Sequence, residues 1–300
     1  MTSYYGRPII KEPVWKPEIP LYFFTGGMAG GAALLTLGAR LAGNDVLARR
    51  ALAVNTAAIA VSPALLIKDL GRPKRFYNML RVFKVTSPMS VGTWIVSASG
   101  TASGVAAACE MTGLLPRVRR AAEGVAGVLA PFLSTYTAAL VADSVVPAWH
   151  EARRELPFVF AGGAAASAGG AVAALTPAAA AGPARRLAIV GGALELAATK
   201  AMEDGLGELV GEPYRTGRGG TASKGAKAAT AAGTALMALA GRRRVGAVAA
   251  GALLCTGALL ERFAVYHAGK ASARDPRYTS VPQRDRIERI DRSFQTDARA

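Results

Sequence analysis

Cysteine and histidine are nearly missing from this chain of 300 residues, which has two of each: Cys109 and Cys255, His150 and His267. There is no Cys-x-x-Cys, so the chain alone builds neither an iron–sulfur cluster nor a structural zinc site. The cysteines lie far apart inside apolar runs and read as small buried residues, with a single disulfide as the other reading. Two histidines, both near the ends of apolar runs, exclude a relay of two bis-histidine haems and argue against even one. His150 follows Trp149 and reads as an interfacial anchor or as part of a site. Charge is scarce too: charged residues make up 19%, below the ~25% of a soluble globular protein. Acids are scarcest, 20 against 36 Lys and Arg, for a net charge of +16. A nucleic-acid binder would suit that charge but not a content that is 51% hydrophobic with a mean hydropathy of +0.26. A soluble enzyme or a disordered chain fits no better, and long apolar stretches ringed by arginine suit a membrane protein.

A spanning helix needs ~20 mostly apolar residues. Eight runs qualify: 19–39, 51–67, 85–109, 124–142 continuing to about 147, 156–184, 187–205, 222–241 and 245–267. They predict an all-α integral membrane protein of eight transmembrane helices, arranged as two four-helix bundles. An interfacial segment over 1–18 precedes the membrane domain of 19–269, and a charged tail over 270–300 follows it. The first run is long for a signal peptide and follows Glu12 and Glu18, so it reads as a retained span. In the tail, Arg284, Arg286, Arg289 and Arg292 alternate with Asp285, Glu288 and Asp291, which reads as a solvated segment or a short surface helix rather than a nucleic-acid patch. Gly26, Gly27, Gly30 and Gly31, and then Gly162, Gly163, Gly169 and Gly170, are small faces for close helix packing.

An even number of spans puts both termini on one side, here called the terminal face; the opposite side is the hairpin face. Hairpin-face loops carry Arg40, Arg49, Arg50, Arg117, Arg119, Arg120, Arg185, Arg186 and Arg242 to Arg244, with Asp45, Glu110 and Glu123 as their acids. The count of Lys and Arg leans toward a cytoplasmic terminal face, the purity of the basic hairpin loops toward the reverse, and both orientations stand. Asp69, Asp143, His150, Lys200, Glu203, Asp204, Glu261, Arg262 and His267 gather at the terminal-face ends of spans. Ionisable groups in a membrane are functional-site candidates by default, and several on one side predict a polar cavity opening there. Glu195 sits nearest mid-membrane, with Lys200 and Glu203 further along the same run. They read as a proton path or as one neutralised polar cluster.

Ordered motifs then carry a resemblance. Trp15, Leu21-Tyr22-Phe23-Phe24 and the glycine run after them, Asp69-Leu70-Gly71-Arg72-Pro73 with Arg75-Phe76, and Ser87-Pro88-Met89-Ser90-Val91-Gly92-Thr93-Trp94 resemble the first three helices of the NrfD/polysulfide reductase membrane-subunit family. Tyr136-Thr137, Pro147-Ala148-Trp149, Pro157-Phe158, Arg262-Phe263 and Ala268-Gly269 fit its later helices. The resemblance implies a multi-pass subunit of the plasma or inner membrane, without a redox centre of its own. It implies a ferredoxin-like iron–sulfur partner wired to a catalytic subunit, often a molybdopterin enzyme. Electrons would pass between that partner and the membrane quinone pool, with menaquinone the first expectation, in an anaerobic respiratory chain. A proton channel or transporter, or a purely structural anchor, is the alternative.

The resemblance also implies a quinone site at the terminal face. Tyr136 resembles the family's tyrosine ligand. Tyr22 stands where the family commonly has a polar ligand, often His, and is a departure from it. Glu18, one turn before Tyr22, shares its helix face and could flank the same headgroup. Both tyrosines could instead be interfacial belt residues. Asp69 reads as a clamp on Arg72 or Arg75, or as a proton donor to the site. The basic stretch Arg72, Lys74, Arg75 and Arg81 is the expected docking surface for the iron–sulfur partner.

Overall fold

The computed structural model describes residues 8–72 and 74–297, with side chains as far as residue 288. Pro73, residues 1–7 of the N-terminal segment and the tail side chains from Arg289 onward lie outside the described residues. Among the described residues the chain is all-α, with no strand. The twelve helices are α1 (Glu18–Leu41), α2 (Asp45–Asp69), α3 (Arg75–Arg81), α4 (Pro88–Thr112), α5 (Pro116–Ala142), α6 (Pro147–His150), α7 (Leu156–Leu175), α8 (Gly182–Gly205), α9 (Gly207–Arg215), α10 (Gly217–Ala240), α11 (Arg244–Arg274) and α12 (Arg277–Asp297).

Local chemistry sets the helix ends. The Asn44 side chain accepts from the Leu47 amide and starts α2, and Ser87 accepts from the Ser90 amide ahead of Pro88 in α4. Gly113 closes α4 in the left-handed region at φ 70°, which a residue with a Cβ rarely adopts.

Five helices, α1, α2, α5, α7 and α11, are long and apolar enough to cross a membrane. The runs expected as spans three, six and seven fold as the long helices α4, α8 and α10 but fall short in hydropathy. Serine, threonine and glycine dilute α4. Arg185, Arg186, Glu195, Lys200 and Glu203 charge α8, and Arg218, Lys224 and Lys227 charge α10.

Helices α1, α2, α4 and α5 pack together, α7, α8, α10 and α11 form a second group, and α1 joins the two through α7. Small residues make that junction. A Cβ on Gly27 or Gly31 would press on Ala164 of α7, and one on Gly30 would strike Ser134 of α5. Gly162 and Gly169 give α8 the same approach to α7, and Gly170 gives it to α11. Buried polar pairs add specificity where apolar burial gives none in lipid: Thr25 to Ser62 at 2.8 Å between α1 and α2, and Asn55 to Ser103 at 2.8 Å between α2 and α4.

Each face is fastened by its own contacts. On the hairpin face Arg40 binds Asp45 at 2.6 Å, Glu110 at 2.5 Å and Glu123 at 3.0 Å, and Arg119 also holds Glu110. The hairpin face's few acids are therefore gathered around one arginine. On the terminal face Glu12 reaches Arg274 at 2.7 Å and Lys270 at 3.1 Å, which ties the chain before α1 to the end of α11. Trp15 stacks on Trp149 with centroids 5.2 Å apart, and Trp149 donates to the Val265 carbonyl at 2.7 Å. The indole lies where a Cβ on Gly269 would be, so glycine is required there.

Candidate functional site

A cavity of about 60 Å³ lies at the terminal face of the first bundle, where α1, α2, α4 and α5 meet beneath α3. Its wall includes Tyr22 from α1, Asp69 from α2, Met79 from α3, Met89 and Thr93 from α4, and Tyr136 from α5. Met79, Met89 and Thr93 also line a neighbouring space of about 200 Å³ that reaches Val82 and Lys84. Together they form an apolar slot running from the tyrosines outward past α3.

The two tyrosine rings meet edge to face, centroids 6.4 Å apart. Tyr22 is 2% exposed, and its hydroxyl has no hydrogen-bond partner among the described residues. A buried hydroxyl without a partner costs roughly 1–3 kcal/mol, so an unused donor in a cavity wall marks a position for a ligand acceptor. Tyr136 is held by Gly92, because any Cβ there would strike its ring. The Ser87–Trp94 motif therefore has a mechanical role in placing Tyr136, which sequence reasoning missed.

Two of the expected site residues behave differently. Glu18 is not in the cavity wall; it pairs with Lys68 at 2.9 Å. A carboxylate is better satisfied by a cation at the rim than by an apolar cavity, so sharing a helix face with Tyr22 did not bring it into the same cavity wall. Asp69 does line the cavity, but its clamp is neither Arg72 nor Arg75. Its Oδ1 accepts from the Lys16 backbone N–H at 3.0 Å, fixing the entry to α1.

Lys200 is a second correction. It is exposed and pairs with Asp204 at 2.8 Å, off any line joining Glu195 to Glu203. At about 100° per residue, five residues carry it well around the helix from Glu195. Glu203 instead turns inward, accepting from Lys227 at 2.8 Å and Ser223 at 3.0 Å. Glu195 is buried and accepts from Thr230 at 3.2 Å. Glu261 and Arg262 are buried beside it on α11. The Arg262 guanidinium lies 3.8 Å over the Phe160 ring and donates to the Phe160 carbonyl at 2.9 Å. Sequence reasoning had placed Glu261 and Arg262 at the terminal face without joining them to Glu195, because that contact depends on how α8, α10 and α11 pack.

The expected docking residues Arg72, Lys74, Arg75 and Arg81 are all exposed and engage in no ion pair among the described residues. They surround Tyr77, Val82, Phe83 and Val85, which are exposed too. Cys109 and Cys255 are free thiols.

The profile of the family described as "Polysulphide reductase, NrfD" matches residues 10–191, well over half of the chain. The matched stretch contains the whole cavity wall and ends before Glu195, Glu261 and Arg262. No curated protein matches the chain significantly.

Proposed function

The chain belongs to the polysulphide reductase NrfD family of multi-pass membrane subunits, and on that premise we propose that it is the quinone-binding electron-transfer subunit of a membrane oxidoreductase complex. In this reading the eight helices α1, α2, α4, α5, α7, α8, α10 and α11 span the membrane. The chain anchors an iron–sulfur partner and, through it, a catalytic subunit, with a molybdopterin enzyme as the family's example. The quinone, menaquinone first, supplies exchange of two electrons and two protons with the membrane pool.

One observation carries the reading: the buried, unpartnered Tyr22 hydroxyl in the wall of an apolar cavity that Tyr136 and Asp69 also line. Tyr22 and Tyr136 offer O–H donors to a ring carbonyl from two different helices. Asp69 provides a carboxylate at the aqueous end, where protons enter or leave. Met79 and Met89 form the neck of the slot. Their flexible thioethers are the side chains able to yield to a ring and an isoprenoid tail. Arg72, Lys74, Arg75 and Arg81 present a basic rim beside the cavity, suited to an acidic face of the iron–sulfur partner.

A water-soluble menaquinone analogue, titrated into the full chain in nanodiscs and followed by quenching of Trp15 fluorescence, tests this reading. Saturable binding is expected in the parent chain. It should be lost in Gly92→Leu, whose side chain takes the place of the Tyr136 ring. Without saturable binding in the parent chain, the structural-anchor reading takes over.

A further inference from the structure

Four of the buried polar atoms without a partner among the described residues lie together in the second bundle: Glu195 Oε1, Glu261 Oε1, and Arg262 Nε and Nη1. Their side chains are 2%, 1% and 1% exposed. Among the described residues no ion pair joins Arg262 to either glutamate. Glu195 and Arg262 both press into the space that Gly163 leaves by having no Cβ. Charged groups in an apolar bundle are tolerated only when paired and hydrogen-bonded. A polar site with several converging, unused donors and acceptors is where internal water binds.

Among the described residues, further ionisable groups continue from the cluster toward the terminal face. Glu261 lies within Coulombic range of Glu203 and Lys227 as well as Glu195 and Arg262. Glu203 and Lys227, joined at 2.8 Å, have side chains 16% and 38% exposed, so this pair reaches the protein surface near the terminal-face end of α8. Ser223 and Thr230 of α10 donate to the two ends of the line. From α9 comes Tyr214, whose hydroxyl is committed to the Ala148 carbonyl at 3.3 Å. From α7 come Gly163 and Phe160, whose carbonyl accepts from Arg262, and no ionisable group among the described residues. Toward the first bundle the way is closed by aromatic rings: Arg262 rests on Phe160, and Phe160 lies 5.8 Å from Phe23.

We propose that Glu195, Arg262 and Glu261 form a hydrated proton-loading site, filled from the terminal face through Glu203 and Lys227 and closed toward the first bundle by Phe160 and Phe23. In each transfer a carboxylic acid gives its proton through water to the next carboxylate and returns to the ionised form, and no electron moves. Arg262 stays a cation and balances whichever glutamate is ionised. The site is independent of the quinone reading, because none of its ionisable residues lines the tyrosine cavity, which only Phe23, at the far side of the aromatic barrier, also borders.

The test is infrared difference spectroscopy of the full chain in nanodiscs after a pH jump, in light and heavy water. A protonated-carboxyl band should grow as pH falls and should shift in heavy water, because bulk water reaches the site. Glu261→Gln should remove part of the band, and Glu261→Asp should keep it at a displaced frequency. Glu203→Gln should leave its final size nearly intact but slow its appearance about a hundredfold, as expected for removal of a positioned proton carrier. Lys200→Met should change nothing. A sealed ionic cluster would give no titrating band, or one that ignores heavy water, and either result overturns the proposal. Should Glu261→Gln fail to fold, the Glu203→Gln kinetics decide: unchanged kinetics in that variant would also overturn it.

Discussion

Tyr22 and Tyr136 come from helices far apart in sequence and meet edge to face, ring centroids 6.4 Å apart, in the wall of one apolar cavity. Only Tyr22 is buried with its hydroxyl unpaired. In the ligand-free chain that hydroxyl is desolvated and gains nothing in return.

Tyr22→Phe should therefore leave the ligand-free protein as stable as before, or more stable by about 1 kcal/mol. The same change should weaken quinone binding about tenfold, since ~1.4 kcal/mol corresponds to a factor of ten. Thermal unfolding with and without quinone analogue measures both effects. A loss of stability without ligand, with unchanged binding, would make Tyr22 a packing residue only.

Arg40 is the hub of the hairpin face, and Glu123, one of its partners, is 2% exposed. Arg40→Met should destabilise the first bundle by about 3–5 kcal/mol, because it strands a buried carboxylate. Adding Glu123→Gln should recover part of that loss. Arg50→Met, at an exposed arginine without an ion pair among the described residues, is the control and should have little effect on thermal unfolding.

Reversing Arg72 and Arg75 to glutamate should release the proposed iron–sulfur partner from the complex and leave any remaining association less weakened by salt, because the attractive pairs that salt screens are gone. The same reversals at Arg117 and Arg242, on the opposite face, should not. Affinity purification of the complex at two ionic strengths checks this. Equal release from both faces would remove the assignment of the docking surface.

The hydrogen bond from Arg274, with Lys270 beside it, holds the Glu12 carboxyl below its usual 4.5 against a smaller opposing effect of burial. A lowered folded-state value means that the tie contributes stability above the unfolded value and loses it as pH falls through the lowered one. The segment before α1 should accordingly loosen below pH 4.5, with Trp15 leaving its stack on Trp149. Trp15 emission against pH should show that transition in the parent chain. In Glu12→Gln the segment should already be loosened at neutral pH, with no acid transition.

Much of the helical framework was legible because apolar runs of spanning length are a coarse and robust signal. Each of the eight runs coincides with a long helix, although only five of these helices are apolar enough to cross by composition. The short helices α3, α6 and α9 left no such signal. Of the candidate residues, only some come together. Asp69, Tyr22 and Tyr136 line one cavity, whereas Glu18 and Lys200 lie apart from the residues they were expected to join, because position along one helix says little about which neighbour a charge will choose. Lys68 and Asp204 made those choices. Gly92, Glu261 and Arg262 matter through contacts between helices, which no local spacing reveals.

The central claim is tested most directly by quinone turnover of the intact complex carrying Tyr136→Phe, alongside its activity with an artificial electron carrier that bypasses this subunit. The ring and its packing against Gly92 are kept, so assembly and bypass activity should be normal. Quinone affinity or turnover should fall by about one to two orders of magnitude, from loss of a buried hydrogen bond and an unsatisfied carbonyl. Normal quinone kinetics in Tyr136→Phe, and again in the double variant with Tyr22→Phe, would contradict the account and leave the chain a structural anchor.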